Sequence, residues 1–134
     1  MRTIFVDTSY WIARINPRDQ WHHKAVALSS SLKDADLVTS DAVLTELLNY
    51  FSGYGTEMRE AVALIVRYIT DDTTITVDKS SYRFDEGLAL FESRLDKRYS
   101  MTDCMSMSLM RRHGITEVLT HDHHFAQEGF RLLL

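Results

Sequence analysis

Apolar positions along the chain alternate between short unbroken runs and stripes with helical spacing. The runs Ile4-Phe5-Val6, Leu37-Val38-Thr39, Thr74-Ile75-Thr76-Val77, Glu117-Val118-Leu119-Thr120 and Phe130 to Leu134 read as short strands, the first apolar enough to be buried on both faces of a sheet. Between them, Tyr10 to Ile15 is a short helix. Trp21, Ala25, Leu28 and Leu32 predict a second over Asp19 to Lys33. Ser40 or Asp41 can cap a third, with Val43, Leu44, Leu47, Leu48 and Phe51 on one side and Gly53-Tyr54-Gly55 at its end. Thr56 opens a fourth, whose buried side is Met58, Ala61, Val62, Ile65, Val66 and Ile69, so the two form a helical hairpin. Ser80 or Ser81 starts a fifth, carrying Phe84, Leu88, Leu90, Phe91 and Leu95 inward. A sixth runs from Thr102 to His113 and stops at Gly114, and His121 to Gln127 is a helical turn.

Strands alternating with helices predict parallel, right-handed crossovers. The fold class is therefore α/β, a three-layer α/β/α sandwich in one domain spanning residues 1–134. Periodicity does not set the strand order.

Composition adds bounds. With 45% hydrophobic residues and one proline in 134, the chain is globular. The opening apolar run is too short to span a membrane and no signal-peptide pattern precedes it. Cys104 is the single cysteine, which rules out an internal disulfide and fits a cytoplasmic location. A net charge of −4 argues mildly against nucleic acid as a partner, because phosphate binding needs a positive surface. A bound divalent cation would reverse the sign of an acidic pocket.

The candidate chemistry lies in four acids, Asp7, Glu46, Asp103 and Asp122. Asp7 and Asp122 follow apolar strands, at ends that a parallel sheet brings to one edge, where open α/β sheets keep their ligand crevice. Asp103 lies in the first turn of its helix, where Ser100-Met101-Thr102-Asp103 resembles a capping box with Asp at the usual Glu position. Glu46 borders an apolar stripe, and a solvated flank is its plainest role. Singly, each acid has an ordinary structural explanation. Gathered, they would repel one another and raise their pKa values, a conflict that Mg²⁺ or Mn²⁺ resolves through hard oxygen ligands. Thr8, Ser9 and Thr120 offer hydroxyls beside them.

Four segments then point to a family: Val6-Asp7-Thr8-Ser9, Thr45-Glu46, Tyr99-Ser100-Met101-Thr102-Asp103-Cys104 and Leu119-Thr120-His121-Asp122-His123-His124-Phe125. In this order and context they resemble the PIN-domain ribonucleases, above all the VapC-type toxins of toxin–antitoxin pairs, over essentially the whole chain. The resemblance implies a five-stranded parallel sheet in order 3-2-1-4-5 and a Mg²⁺- or Mn²⁺-dependent endoribonuclease with one or two ions. It also implies an RNA substrate, a cognate antitoxin protein and a homodimer. Asp7, Glu46, Asp103 and Asp122 would be both the catalytic and the metal-binding set, with Asp7 and Asp103 as direct ligands.

Trp11, Tyr50 and Tyr54 are candidates to line a groove for an antitoxin segment, since aromatic anchors dominate interfaces. His121, His123 and His124 read as solvated or packing residues, Cys104 as buried and inert, and the methionines of the sixth helix as core filler. Two other classes compete. A receiver or haloacid-dehalogenase-like phosphoryl-transfer domain would want a second acid where Ser9 stands. A catalytically silent RNA- or protein-binding module would not need the complete acidic set.

Overall fold

A computed structural model describes residues 2–80 and 82–134, so a helix start at Ser81 lies outside the described residues. Its centre is β1 (Thr3–Val6), where Ile4, Phe5 and Val6 are fully buried. β1 pairs in parallel with β2 (Asp36–Ser40) through Phe5 and Val38, and with β4 (Glu117–Leu119) through Phe5 and Val118. β3 (Ile75–Asp78) and β5 (Arg131–Leu132) add the edges, giving the order β3-β2-β1-β4-β5 that the family resemblance implied. A strand with partners on both sides and helices on both faces has no wet surface, hence its unbroken apolar run.

The helices are α1 (Thr8–Ile15), α2 (His22–Ser29), α3 (Asp41–Phe51), α4 (Thr56–Asp71), α5 (Tyr82–Ser93), α6 (Met101–Arg112) and α7 (His123–Gln127). The second is shorter than its pattern suggested. The Asp19 side chain accepts a 2.8 Å hydrogen bond from the Trp21 amide, which turns the chain before α2, and Ser30–Leu32 is a 3-10 turn. On α3, Ser40 rather than Asp41 provides the cap, accepting from the Val43 amide at 3.2 Å. Its apolar stripe is buried except for Leu48, and on α4 Val62 and Ile69 are buried while Ala61 is exposed.

The fifth helix departs furthest from expectation. Phe84, Leu88, Phe91 and Leu95 do not enter the core: Phe84 is 56% exposed and Leu95 79%. The buried side chain of α5 is instead Arg83, paired with Asp41 and with Asp78 at 3.0 Å, and Gly87 is buried beside it. Gly87 explains the inversion. A Cβ at this position would lie 2.6 Å from Met105 Cγ and 3.0 Å from the Met105 backbone, so α5 lies on α6 at a distance only glycine permits.

Gly87→Ala sets two effects against each other. Alanine gains about 1 kcal/mol in helix propensity, while overpacking costs about 1–3 kcal/mol. Since Met105 backbone atoms cannot rotate away, the variant should be less stable, by up to about 2 kcal/mol, read from its urea midpoint. A variant as stable as the parent would show that α5 and α6 separate freely.

Candidate metal centre

Asp7 directly follows β1 and occupies the N-cap position of α1, yet its side chain makes no capping hydrogen bond. It turns toward β4 instead. Thr120 Oγ1 donates to Asp7 Oδ2 at 2.9 Å, Ser9 Oγ lies 3.4 Å from the same oxygen, and the two hydroxyls are 2.8 Å apart. Asp7 Oδ1 is buried with no hydrogen-bond partner, and so is Thr8 Oγ1. An ionised carboxylate left in that state is costly unless something positive meets it.

Asp103 fills both of the roles open to it. Its amide donates to Ser100 Oγ at 3.0 Å and its Oδ2 accepts from the Ser100 amide at 3.2 Å, so the capping box is real. The same side chain faces the pocket. Asp122 caps α7 through the His124 amide at 2.9 Å, and its own amide donates to Thr120 Oγ1 at 3.0 Å. Thr120 thus ties Asp122 to Asp7. Glu46 projects from α3. All four acids line one cavity of about 290 Å³, together with Thr8, Ser9, Ile12, Tyr50, Ser100 and His124.

Neither lysine nor arginine lines this cavity among the described residues. Electrostatics follow directly. Burial first, then the charges of Asp103 and Glu46, push Asp7 up to about 7 despite the Thr120 hydrogen bond. Burial, then Asp122, raise Asp103 to about 6, against the Ser100 amide and His124. The donor set fits a divalent cation: Asp103, Asp122 and His124 each present a ligand atom, all within 4.8 Å of one another, and Asp7 adds its unpartnered oxygen.

His124 is the residue the sequence did not reveal. Its Nδ1 lies 3.2 Å from Asp122 and 3.5 Å from Asp103, yet no hydrogen bond forms at that nitrogen. It gives the cavity a nitrogen donor where oxygen alone was expected. The only available signal was its place two residues after Asp122, on the first turn of α7. His121 instead stacks on Trp21, with centroids 4.9 Å apart and planes at 12°, and His123 is exposed. Cys104 is buried, and burial raises its thiol, which fits an inert side chain.

The aromatic trio divides. Tyr50 lines the acidic cavity and stacks on Tyr54, whereas Trp11 is buried and lines a separate apolar cavity of about 480 Å³ with Ile65 and Ile69 of α4. Trp11 lines that cavity together with Tyr10, while Thr8, Ser9 and Ile12 of the same helix line the acidic one.

Residues 4–130 match the PIN domain. The chain belongs to the PIN-domain family. It is similar to the 23S rRNA-specific endonuclease VapC20 of Mycobacterium tuberculosis, with 36% identity covering 95% of each chain. The crystal structure of that protein, described as a sarcin–ricin loop cleaving toxin, superposes with a TM-score of 0.83 at 29% identity, again over 95% of each chain. VapBC2 from Rickettsia felis, bound to a DNA fragment from its promoter, shares the PIN fold at a TM-score of 0.67 and 15% identity, covering 98% of this chain and 97% of that one.

The raised carboxyls of this PIN domain dictate a pH dependence. The folded metal-free protein holds protons on Asp7 up to about pH 7 and on Asp103 up to about pH 6, while the unfolded chain releases them in the ordinary carboxylate range near pH 4. Native protein binds more protons across that window, so stability falls as pH rises from about 4 to about 7. Asp7→Asn and Asp103→Asn should each flatten this fall and leave the protein more stable above neutrality. Denaturant midpoints over that range, with chelator present, provide the check; parallel curves for wild type and both variants would contradict the repulsion.

Proposed function

We propose that the chain is a metal-dependent endoribonuclease and the toxin of a VapBC-type toxin–antitoxin pair. One observation carries the reading: four carboxylates from four separate segments share a cavity that holds no lysine or arginine among the described residues. The similarity to an rRNA-specific endonuclease over 95% of both chains gives that cavity its substrate class, RNA. The sarcin–ricin loop, which that relative cleaves, is the first substrate to test.

In this reading Asp7, Asp103 and Asp122 hold Mg²⁺ or Mn²⁺, with Glu46 and His124 beside them. A cation bound there would neutralise the phosphodiester and help a water attack phosphorus in line with the departing oxygen. The protein's own part is placement. Thr120 and Ser9 hold Asp7 Oδ2 and leave Oδ1 without a partner, and the capping box holds Asp103 in position. Because ligating carboxylates must be ionised, metal affinity rises with pH through the values of about 6 and about 7. Ser9, where a receiver-like domain would carry a second acid, serves instead to fix Asp7.

The expected partners are RNA, an antitoxin covering the cavity, and a second copy of the chain. The exposed residues Phe84, Leu88 and Phe91 on α5, with Leu95 just beyond its end, are the apolar face available to that copy. No helix among the described residues is long and apolar enough to cross a membrane.

The decisive experiment offers sarcin–ricin loop RNA to purified protein freed of antitoxin, with Mg²⁺, Mn²⁺ or chelator. Cleavage should require metal. Asp7→Asn and Asp103→Asn should each lower it by about 100-fold or more, since each removes a direct ligand. Undiminished cleavage in excess chelator would exclude the mechanism.

A further inference from the structure

Helix α3 carries Glu46 and Tyr50 one turn apart on a single face, and both line the acidic cavity. Tyr50 is 44% exposed although it is a large aromatic residue. Its ring stacks on Tyr54, itself 52% exposed, with centroids 5.6 Å apart and planes at 29°. Buried Phe51 supports both from behind, at 4.9 Å from Tyr50 and 5.1 Å from Tyr54 in edge-on contact. The hairpin tip is fixed as well. The Tyr54 amide donates to the Phe51 carbonyl at 3.1 Å, and Arg59 Nη1 to the Ser52 carbonyl at 3.0 Å. Two exposed rings are thus stacked on each other over a buried support, with Tyr50 lining the cavity and Tyr54 beside it.

The cavity's charge shows what such rings can bind. Among the described residues no lysine or arginine lines it to attract a phosphate there, and a cation serves only the phosphate it touches. A neighbouring nucleotide must be held by contacts indifferent to charge. Stacking on a π-face is such a contact, and it accepts any base. We propose that Tyr50 and Tyr54 form a stacking platform for the nucleobase next to the scissile phosphodiester, with Tyr50 as the positioning residue nearest the metal centre. The proposal rests on the ribonuclease reading for its substrate class.

The test uses a sarcin–ricin loop oligonucleotide carrying 2-aminopurine at each position around the cleavage site in turn, bound in the presence of Ca²⁺. Wild type should quench the fluorophore at one position. Tyr50→Leu, which keeps apolar bulk but no ring, should abolish that quench and weaken RNA binding by roughly tenfold, and Tyr54→Ala should act in the same direction. Tyr50→Phe should behave as wild type, and Mn²⁺ affinity and thermal midpoint should be unchanged in every variant. Wild-type affinity and quenching in both Tyr50→Leu and Tyr54→Ala would overturn the platform. Loss of antitoxin binding with RNA binding intact would overturn it too, assigning the pair to the protein partner. These readouts are binding and fluorescence, so they decide the platform even in protein that does not cleave; absent cleavage by wild type counts against the nuclease reading alone.

Discussion

Repulsion among buried carboxylates is the constraint on which this structure turns. The fold can neutralise a buried acid when it is asked to. Glu128, near the start of β5, is partly buried, which by itself would raise it, yet hydrogen bonds from Arg94, Arg111 and Tyr99 bring it down to about 2. Asp7 is buried more deeply and sits at about 7. Its deeper burial raises it further, and at the carboxyl edge of β1 and β4 no cationic side chain among the described residues offsets that burial. A site that stays unneutralised while arginines serve a carboxylate elsewhere is built to receive its positive charge from outside.

The neutralised acid also serves the other one. Glu128 binds Arg94, Tyr99 and Arg111 into one cluster, which fixes the segment leading into α6. Ser100 then follows Tyr99, and the capping box sets the first turn on which Asp103 stands. On the opposite side, Asp7 follows directly on Ile4, Phe5 and Val6, whose full burial between two partner strands anchors β1 in its register. Thr39 Oγ1 donates to the Val6 carbonyl at 2.9 Å, so the last peptide of β1 is held from β2 as well. The charges are close together because stable, neutral interactions behind them permit no other placement.

Much of this was legible in the sequence, and the failures share a cause. The five strands and the sites of Asp7, Asp103 and Asp122 followed from short apolar runs and helix starts, which are local properties. Strand order came only through the family resemblance, since periodicity is silent on which strands pair. The row on α5 was read as core because periodicity identifies a face and not what covers it; the close approach at Gly87 turns the other face inward. Trp11 could not be separated from Tyr50 by composition, because both are aromatic residues near acids and only the direction of each helix distinguishes them. His124 had no pattern at all. Its position depends on how the short α7 folds back beside α6, a tertiary matter that neighbouring histidines obscure.

The same geometry reconciles an acidic protein with the RNA substrate proposed for it. A chain of net charge −4 does not gain affinity from general attraction to a polyanion. Its attraction has to be local, and α3 makes it so by joining two kinds of surface: Glu46 faces the cation-accepting cavity, and Tyr50, one turn later, begins the exposed aromatic stack. In the proposed reading a cation there would meet one phosphate and the rings one base, which would confine recognition to the nucleotide being processed. A broad basic surface would bind any phosphate backbone alike. The proposed binding of one phosphate at the cation and one base on the stack is therefore consistent with negative overall charge, because it needs no broad basic surface.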